Sequence, residues 1–419
     1  MEEKILRENM QTKKIVIFGL GARGKIYAEF AAKNSDKFEL TAIIENNPDR
    51  VEMAKAIYPN IPVFTDYKDF LAEKIPADIV AVATQDEDHR DHSVAMMKAG
   101  YDLLLEKPIA NRVEDCLEIY EASKKYNKKV VVCHVLRYTP FYSTVKRIID
   151  SGKLGEVITI NASENVGYYH QAHSFIRGPW RNKAESSPMI LAKCCHDMDI
   201  IRYLMGEKCL NVSSFGGLYY FNEAHAPEGA TLYCSDCPHT DCIYKAQTIY
   251  LSDAGKPFAS YYTTKEKTDE NLLADLKGTQ YDKCVFKSDN DVVDHQVTIM
   301  QFEGGKTACH TMTAFSNEIY RDLKVHGTKA ELIGVVEKNY IEIRRFGGEI
   351  EKITVDTSAA NVGGHMGGDY FMMNSLYNAL NGEAAEGITY LDVSIESHLM
   401  SFAAEESRLS GGTSQSIKN

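Results

Sequence analysis

Long apolar runs are missing from this chain. No stretch approaches the roughly 18 residues that a membrane-spanning helix needs, and the opening MEEKILRENMQTKK lacks an apolar core of about 7 to 15 residues such as a secretory leader carries. The cytoplasm is the expected location, with no membrane partner. Positive charge is also scarce: 47 Lys and Arg stand against 59 Asp and Glu, a net charge of −12. That balance repels nucleic-acid phosphate and anionic lipid alike, so neither is an expected ligand. Ten cysteines in a cytoplasmic chain do not make a disulfide scaffold. Tryptophan occurs once, yet 44% of the 419 residues are hydrophobic. This is a soluble globular composition, too long for one ordinary core, and two domains are expected.

What is present begins with KIVIFGLGARG, Lys14–Gly24, a short apolar strand that runs into Gly19-Leu20-Gly21-Ala22-Arg23-Gly24 and then a helical stretch. The first glycine permits a tight turn, the second lets backbone N–H groups approach phosphate, and the third lets helix pack on strand; the helix N-terminus adds partial positive charge. This is the sequence form of a dinucleotide pyrophosphate cradle, with Gly19, Gly21, Ala22, Arg23 and Gly24 as candidate contacts. An ordinary glycine turn is the alternative. The second strand, ELTAIIE, ends in Glu45, about 20 positions after Gly24, where a carboxylate accepts hydrogen bonds from the adenosine ribose. Asn46, Asn47 and Pro48 follow, with no basic residue before Arg50. A ribose 2′-phosphate would meet an acid with little compensation, so NAD is expected over NADP. A solvated strand-end charge is the other reading of Glu45.

Up to about residue 135 short apolar runs at 15–18, 40–44, 79–83, 103–105 and 130–133 alternate with stretches around 22–32, 50–56, 92–99 and 113–126 that carry apolar residues three and four apart. The pattern is that of an α/β doubly wound parallel sheet covered on both faces. Ligands of such sheets gather at the carboxyl ends of the strands. Two segments fall there, Thr84-Gln85-Asp86-Glu87-Asp88-His89 and Glu106-Lys107-Pro108, and they add Thr84, Asp86, His89, Glu106 and Lys107 to the cofactor candidates.

GLGARG, then ATQDEDH at Ala83–His89, then LLLEKPIA at Leu103–Ala110 resemble, in order and spacing, the nucleotide-binding half of the Gfo/Idh/MocA family, the relatives of glucose-fructose oxidoreductase and inositol dehydrogenase. RYTPFYSTVKRIIDSGKLGEV at Arg137–Val157 is similar to the family's crossover into its second domain. HMGGDYF and SHLMSFAAEESR resemble its closing helices, so nearly the whole chain is covered. The resemblance implies a Rossmann NAD-binding domain at 1–135 and an α+β domain at 136–419 with a large, mostly antiparallel open sheet. One face of that sheet would carry a small sugar or polyol substrate and the other a subunit partner, giving a homodimer or homotetramer.

The resemblance also assigns chemistry. Its glutamate-lysine-proline segment sets Lys107 beside the nicotinamide and the substrate hydroxyl, where a cation stabilises the developing oxyanion and a desolvated lysine can exchange the proton. Pro108 restricts the residue before it to an extended conformation, so Lys107 projects from the strand end. His196 falls where the family keeps a catalytic histidine, in a segment read as one helix over 191–201; an imidazole with an unperturbed pKa near 6.5 suits the carbinol proton. The family's aspartate four residues earlier is Ala192 here and its glycine is Cys194. Lys193, next in line, is a candidate for a substrate hydroxyl or carboxylate. Asp197 and Asp199 are helix-surface or substrate-binding groups.

The second domain reads as strands at 158–165, 212–221, 292–302, 307–314, 322–326 and 340–346. After the first come Tyr168, Tyr169, His170, His173, Trp180 and Arg181, which suit a sugar or cyclitol by stacking and hydrogen bonding, or else serve as core and interface aromatics. Arg137, Tyr169, Trp180, Arg181, Asp199 and His365, the last near the start of a helix at about Asp369, are the substrate candidates. An insertion at about 225–285 holds Cys234, Cys237 and Cys242 and, much later, Cys284. Two thiols spaced by two residues, a third further on, and Cys284 or His239 as a fourth match a structural zinc site; reduced thiols in a turn are the alternative. Cys194 and Cys195 are expected to pack helix faces.

The function expected is NAD-dependent oxidation of a secondary alcohol of a sugar, cyclitol or glycoside. The alternatives are a redox-assisted glycosidase that oxidises, eliminates and re-reduces with one NAD, and a non-catalytic NAD-sensing module.

Overall fold

A computed structural model describes residues 10–263, 265–358 and 365–417. Most of the charged opening segment lies outside the described residues. The chain divides into two compact units, Met1–Ser151 with Thr354–Leu399 and Gly152–Ile353 with Met400–Asn419.

The first unit alternates β1 (Lys13–Phe18), α1 (Ala22–Lys33), β2 (Phe38–Ile44), α2 (Pro48–Ile57), β3 (Val63–Phe64), α3 (Tyr67–Glu73), β4 (Ile79–Val82), α4 (His89–Lys98), β5 (Asp102–Leu105), α5 (Val113–Lys125) and β6 (Val130–Val132), and ends its first stretch with α6 (Pro140–Asp150). The strands form one parallel sheet in the order β3-β2-β1-β4-β5-β6. The order reverses between β1 and β4, which opens a crevice at their carboxyl ends. Strand centres such as Ile15, Ile17, Val80, Ala81 and Leu104 are fully buried, which is why these strands read as unbroken apolar runs. Local chemistry starts the helices. The Asn47 side chain accepts from Arg50 N with Pro48 at the first helical position, and Thr139 accepts from Tyr142 N with Pro140 following. The sequence pattern finds the five main strands and misses β3 and α3.

The second unit holds β7 (Val157–Asn165), α7 (Met189–Ala192), α8 (Cys195–Met205), β8 (Cys209–Gly217), α9 (Ala246–Leu251), α10 (Asp269–Leu276), β9 (His295–Phe302), β10 (Thr307–Thr313), β11 (Tyr320–Gly327), β12 (Ala330–Val335), β13 (Tyr340–Arg345), β14 (Ile350–Thr354) and β15 (Gln415–Ser416). They form a nine-stranded sheet, β14-β13-β12-β11-β7-β10-β9-β8-β15, in which β7 and β10 run parallel while β7–β11, β10–β9, β9–β8, β11–β12, β12–β13 and β8–β15 are antiparallel. On β9, Gln296, Thr298, Met300 and Phe302 are buried and the residues between them exposed. The helix expected over 191–201 is broken at Lys193 and Cys194, between α7 and α8. The insertion is longer than expected and fills the whole interval from β8 to β9.

The expected division near 135 is a single cut in the chain, whereas the two compact units interleave along it. Residues 354–399 return to the first unit. There α11 (Gly368–Leu380) places Met372, Met373, Leu376 and Tyr377 in one apolar core with Ile15, Ile17, Tyr27 and Phe38. Burying that stripe outweighs sequence proximity.

Candidate functional site

The turn after β1 has the steric signature of a cradle. Gly19 sits at φ +90, and a Cβ there would lie 2.6 Å from Ala83 O. A Cβ on Gly24 would lie 1.8 Å from Gly19 O, so α1 packs against the turn only because this residue is glycine. Gly21 differs: it is extended, and a Cβ would find Arg50 Nη1 as its nearest neighbour, at 3.9 Å. That open face at the start of α1, with no side chain capping the helix, is what close backbone approach to a phosphate requires.

Glu45 closes the turn from the next strand. Its Oε2 accepts from Leu20 N at 2.6 Å and its Oε1 from Asn47 N at 2.8 Å, and the residue is only 4% exposed. Each carboxylate oxygen keeps a further lone pair for a hydroxyl. Arg50 Nη1 stands 3.6 Å from Oε2. Sequence reading left Arg50 outside the site, but α2 turns it back to the turn. Gly21, Glu45, Arg50, Tyr67, Thr84 and His92 are among the residues lining a cleft of about 360 Å³ at the strand ends. Thr84 Oγ1 lies 3.0 Å from His92 Nδ1, and burial lowers the pKa of that imidazole.

Arg23 ties the glycine turn to the strand end that bears Lys107. Its Nε is 2.6 Å from Glu106 Oε1 and its Nη2 is 2.5 Å from Asp369 Oδ1, while Tyr27 OH donates to Glu106. Burial opposes ionisation of Glu106, yet Arg23 and the Tyr27 hydroxyl hold its pKa below the usual carboxylate value. Asp369, buried too, is held far lower by His365 and Arg23. Lys107 N donates to Glu106 Oε2 at 3.0 Å.

In the second unit β7 and β11 bring opposite charges face to face. Arg321 is the direct cross-strand partner of Glu164, and their side chains form an ion pair. Lys193 Nζ lies 3.2 Å from Glu164 Oε1, and Arg321 Nε lies 3.0 Å from Asp197 Oδ1. Glu164 is fully buried and Asp197 nearly so. His170 is held neutral beside them, its pKa lowered well below the ordinary imidazole value by burial and then by Lys193.

A family model described as "Oxidoreductase family, NAD-binding Rossmann fold" matches residues 13–134, and one for the "Oxidoreductase family, C-terminal alpha/beta domain" matches 146–408. The chain belongs to the Gfo/Idh/MocA oxidoreductase family. It is 27% identical to the YteT protein of Bacillus subtilis (strain 168) over 87% of this chain and 88% of that one. It is 30% identical to inositol 2-dehydrogenase 2 of Saccharopolyspora erythraea, over 34% of this chain and 40% of the relative. A solved levoglucosan dehydrogenase in complex with NADH shares the fold, with TM-score 0.71 and 17% identity over 98% of this chain and 100% of that one. As a Gfo/Idh/MocA member the chain is an NAD-binding oxidoreductase.

The expected site residues of this Gfo/Idh/MocA chain divide by position. Gly19, Gly21, Glu45 and Thr84 line the cleft, and Ala22 opens α1. Asp86 is close enough to His89, Lys107 and Glu106 to interact with each, and burial raises its carboxyl pKa. His89 is fully buried with Nδ1 2.8 Å from Pro108 O, where it supports the turn after Lys107. His196 lies buried in the first turn of α8. Asp197 and Asp199 are buried, which corrects the helix-surface alternative.

Among the substrate candidates, Arg137 is buried beside His134 and lowers its pKa, after burial itself. His365 Nδ1 lies 3.0 Å from Asp369 Oδ2. Arg181 is held by Asp289 at 3.1 Å and Glu185 at 3.2 Å. Trp180 packs near Phe175 and Tyr169 near Phe258. His173 is a core residue, stacked on Phe258 and Tyr281, with Nδ1 2.9 Å from Tyr250 OH. Sequence reading missed Arg50, Glu164, Arg321 and the tie from Arg23 to Asp369, all of which depend on tertiary register. Among the described residues no helix is long and apolar enough to cross a membrane.

Proposed function

We propose that this chain oxidises a secondary alcohol of a sugar, cyclitol or glycoside, with NAD preferred to NADP. The observation that carries the reading is the chain of contacts Arg23–Glu106–Lys107, which joins the phosphate cradle to the strand-end lysine through a buried, ionised carboxylate. NAD, when bound, accepts the hydride. Lys107 stabilises the alkoxide that develops on the substrate, and His196 takes the carbinol proton. Lys193, its ammonium fixed by Glu164, binds a substrate hydroxyl or carboxylate. The names of relatives support the substrate class: inositol 2-dehydrogenases and a levoglucosan dehydrogenase act on cyclic polyols and a sugar derivative. The Glu45 carboxylate, beside the open face of Gly21, supports the preference for NAD.

The nine-stranded sheet supports pairing with a second copy. Phe215 and Val297 are direct cross-strand partners, 58% and 38% exposed, and Ile299 beside them is 53% exposed. Apolar side chains in a row on one sheet face are what a subunit interface buries.

A panel of sugars, cyclitols and glycosides, scored by absorbance of reduced nicotinamide, tests the reading. Net NADH formation with a free polyol supports it. Aglycone release without net NADH would replace it with redox-assisted glycoside cleavage, and no turnover across the panel together with NAD binding would leave an NAD-sensing module.

A further inference from the structure

The insertion between β8 and β9 gathers four thiols from separated positions around one small cavity. Cys234, Cys237, Cys242 and Cys284 all line a space of about 10 Å³. An isolated bridge between Tyr233 and Lys283 holds the two segments together, and Cys284 N donates to Leu232 O at 2.9 Å.

Arg177 supplies an independent pointer. Its side chain is fully buried, an environment in which a cation is costly without an anion. Its contacts are Lys283 O at 2.6 Å, Tyr244 O at 2.7 Å and Cys234 Sγ at 3.6 Å, and Nη1 has no hydrogen-bond partner among the described residues. No carboxylate pairs with it among the described ion pairs. A second cation, Lys245, binds Cys237 O at 3.1 Å and His239 O at 2.9 Å. A fully buried guanidinium against the Cys234 sulfur, with Lys245 also lining the cavity, favours negative charge on the cluster.

We propose that Cys234, Cys237, Cys242 and Cys284 hold one Zn²⁺ as a closed tetrahedral thiolate site. Each thiol gives up its proton to solvent on binding. A dication held by four thiolates carries a net double negative charge, which Arg177 and Lys245 offset. With every position taken by protein the ion is structural. It clamps an aromatic core in which Cys234 and Cys284 already pack with Phe221, Tyr244 and Phe286. The sulfurs stand wider apart than in a closed site, where neighbours are about 3.8 Å from one another: among the described residues, the three metal-competent atoms all within 4.8 Å of one another belong to Cys194, Asp197 and His310. That trio includes Cys194, which is fully buried. It is a poor cation site all the same, because the Arg321 guanidinium already occupies Asp197. His239, the alternative fourth ligand, has Nε2 engaged by Glu228 O at 2.9 Å.

The test is elemental analysis and zinc-edge absorption spectroscopy of the full chain purified without chelator or added metal, with Co²⁺ exchanged into the same wild-type protein. The expected result is about one zinc per chain, four sulfur neighbours at about 2.3 Å, and the intense visible bands of tetrahedral thiolate cobalt. Cys237→Ser is expected to lower the metal content more than tenfold, while His239→Ala leaves it unchanged. A folded wild-type chain with well under one zinc overturns the proposal, as does a shell of three sulfurs and one nitrogen or a six-coordinate cobalt spectrum.

Discussion

Arg23 Nε and Glu106 Oε1 lie 2.6 Å apart, so a residue of the glycine turn holds the carboxylate that immediately precedes Lys107. Arg23 is 24% exposed in its side chain and Glu106 6%, and the same guanidinium also serves Asp369. Removing it strands two buried carboxylates. Arg23→Met is expected to cost about 3 kcal/mol, the lower end of the range for breaking a buried pair because solvent reaches the arginine. Urea unfolding measures this; a loss below about 1 kcal/mol would show that the tie is not structural.

Lys107 is the group on which turnover should depend most. Lys107→Met is expected to lower kcat on the order of 10³-fold while the Kd for NAD changes by only a few fold. Retained turnover would remove Lys107 from the chemistry, and lost NAD binding would make it a cofactor anchor instead.

Cofactor choice should follow Glu45. With the carboxylate present, NADP is expected to bind at least about tenfold more weakly than NAD. Glu45→Gln removes the repulsion and frees Arg50 for a phosphate, narrowing the ratio by about tenfold or more. Equal affinity for both coenzymes in the unaltered chain would reject the preference.

Acid should weaken the fold before it reaches the carboxylates. Burial pushes the His173 imidazole down to about 3, and His170 and His134 move the same way. The unfolded chain protonates these rings below about pH 6.5 while the folded chain does not, so stability is full above that pH and is lost as pH falls from about 6.5 toward 3. The depressed pKa values of Glu106 and Asp369 add a second loss below about pH 4. The urea midpoint is expected to fall between pH 7.5 and pH 5, and His173→Gln to flatten that dependence. A midpoint independent of pH would contradict the buried neutral state.

The exposed apolar row on β8 and β9 predicts a dimer or tetramer at micromolar concentration. Val297→Lys with Ile299→Lys should shift sedimentation toward monomer. A wild-type chain that sediments as a monomer would refute this interface.

The glycine turn was legible because each glycine answers a constraint within a few residues, and the buried parallel strands because they are continuous apolar runs. β3 and β15 are two residues long, too short for any periodicity to show. The break at Lys193 has no glycine or proline to announce it. The pair Glu164–Arg321 exists only through the register of β7 against β11, and the return of α11 to the first core is a packing outcome that local pattern does not encode. Spacing alone does not place Arg50 at the ribose end; helix geometry brings it to 3.6 Å from Glu45.

NAD-dependent chemistry requires that the turn at Gly19–Gly24, backed by Glu45, grip a dinucleotide. Titration calorimetry of NAD into ligand-stripped protein tests it directly. One site per chain with clear heat, abolished when Gly21→Val fills the open face of the turn, is the predicted result. No heat and no thermal stabilisation with either nicotinamide coenzyme would contradict it.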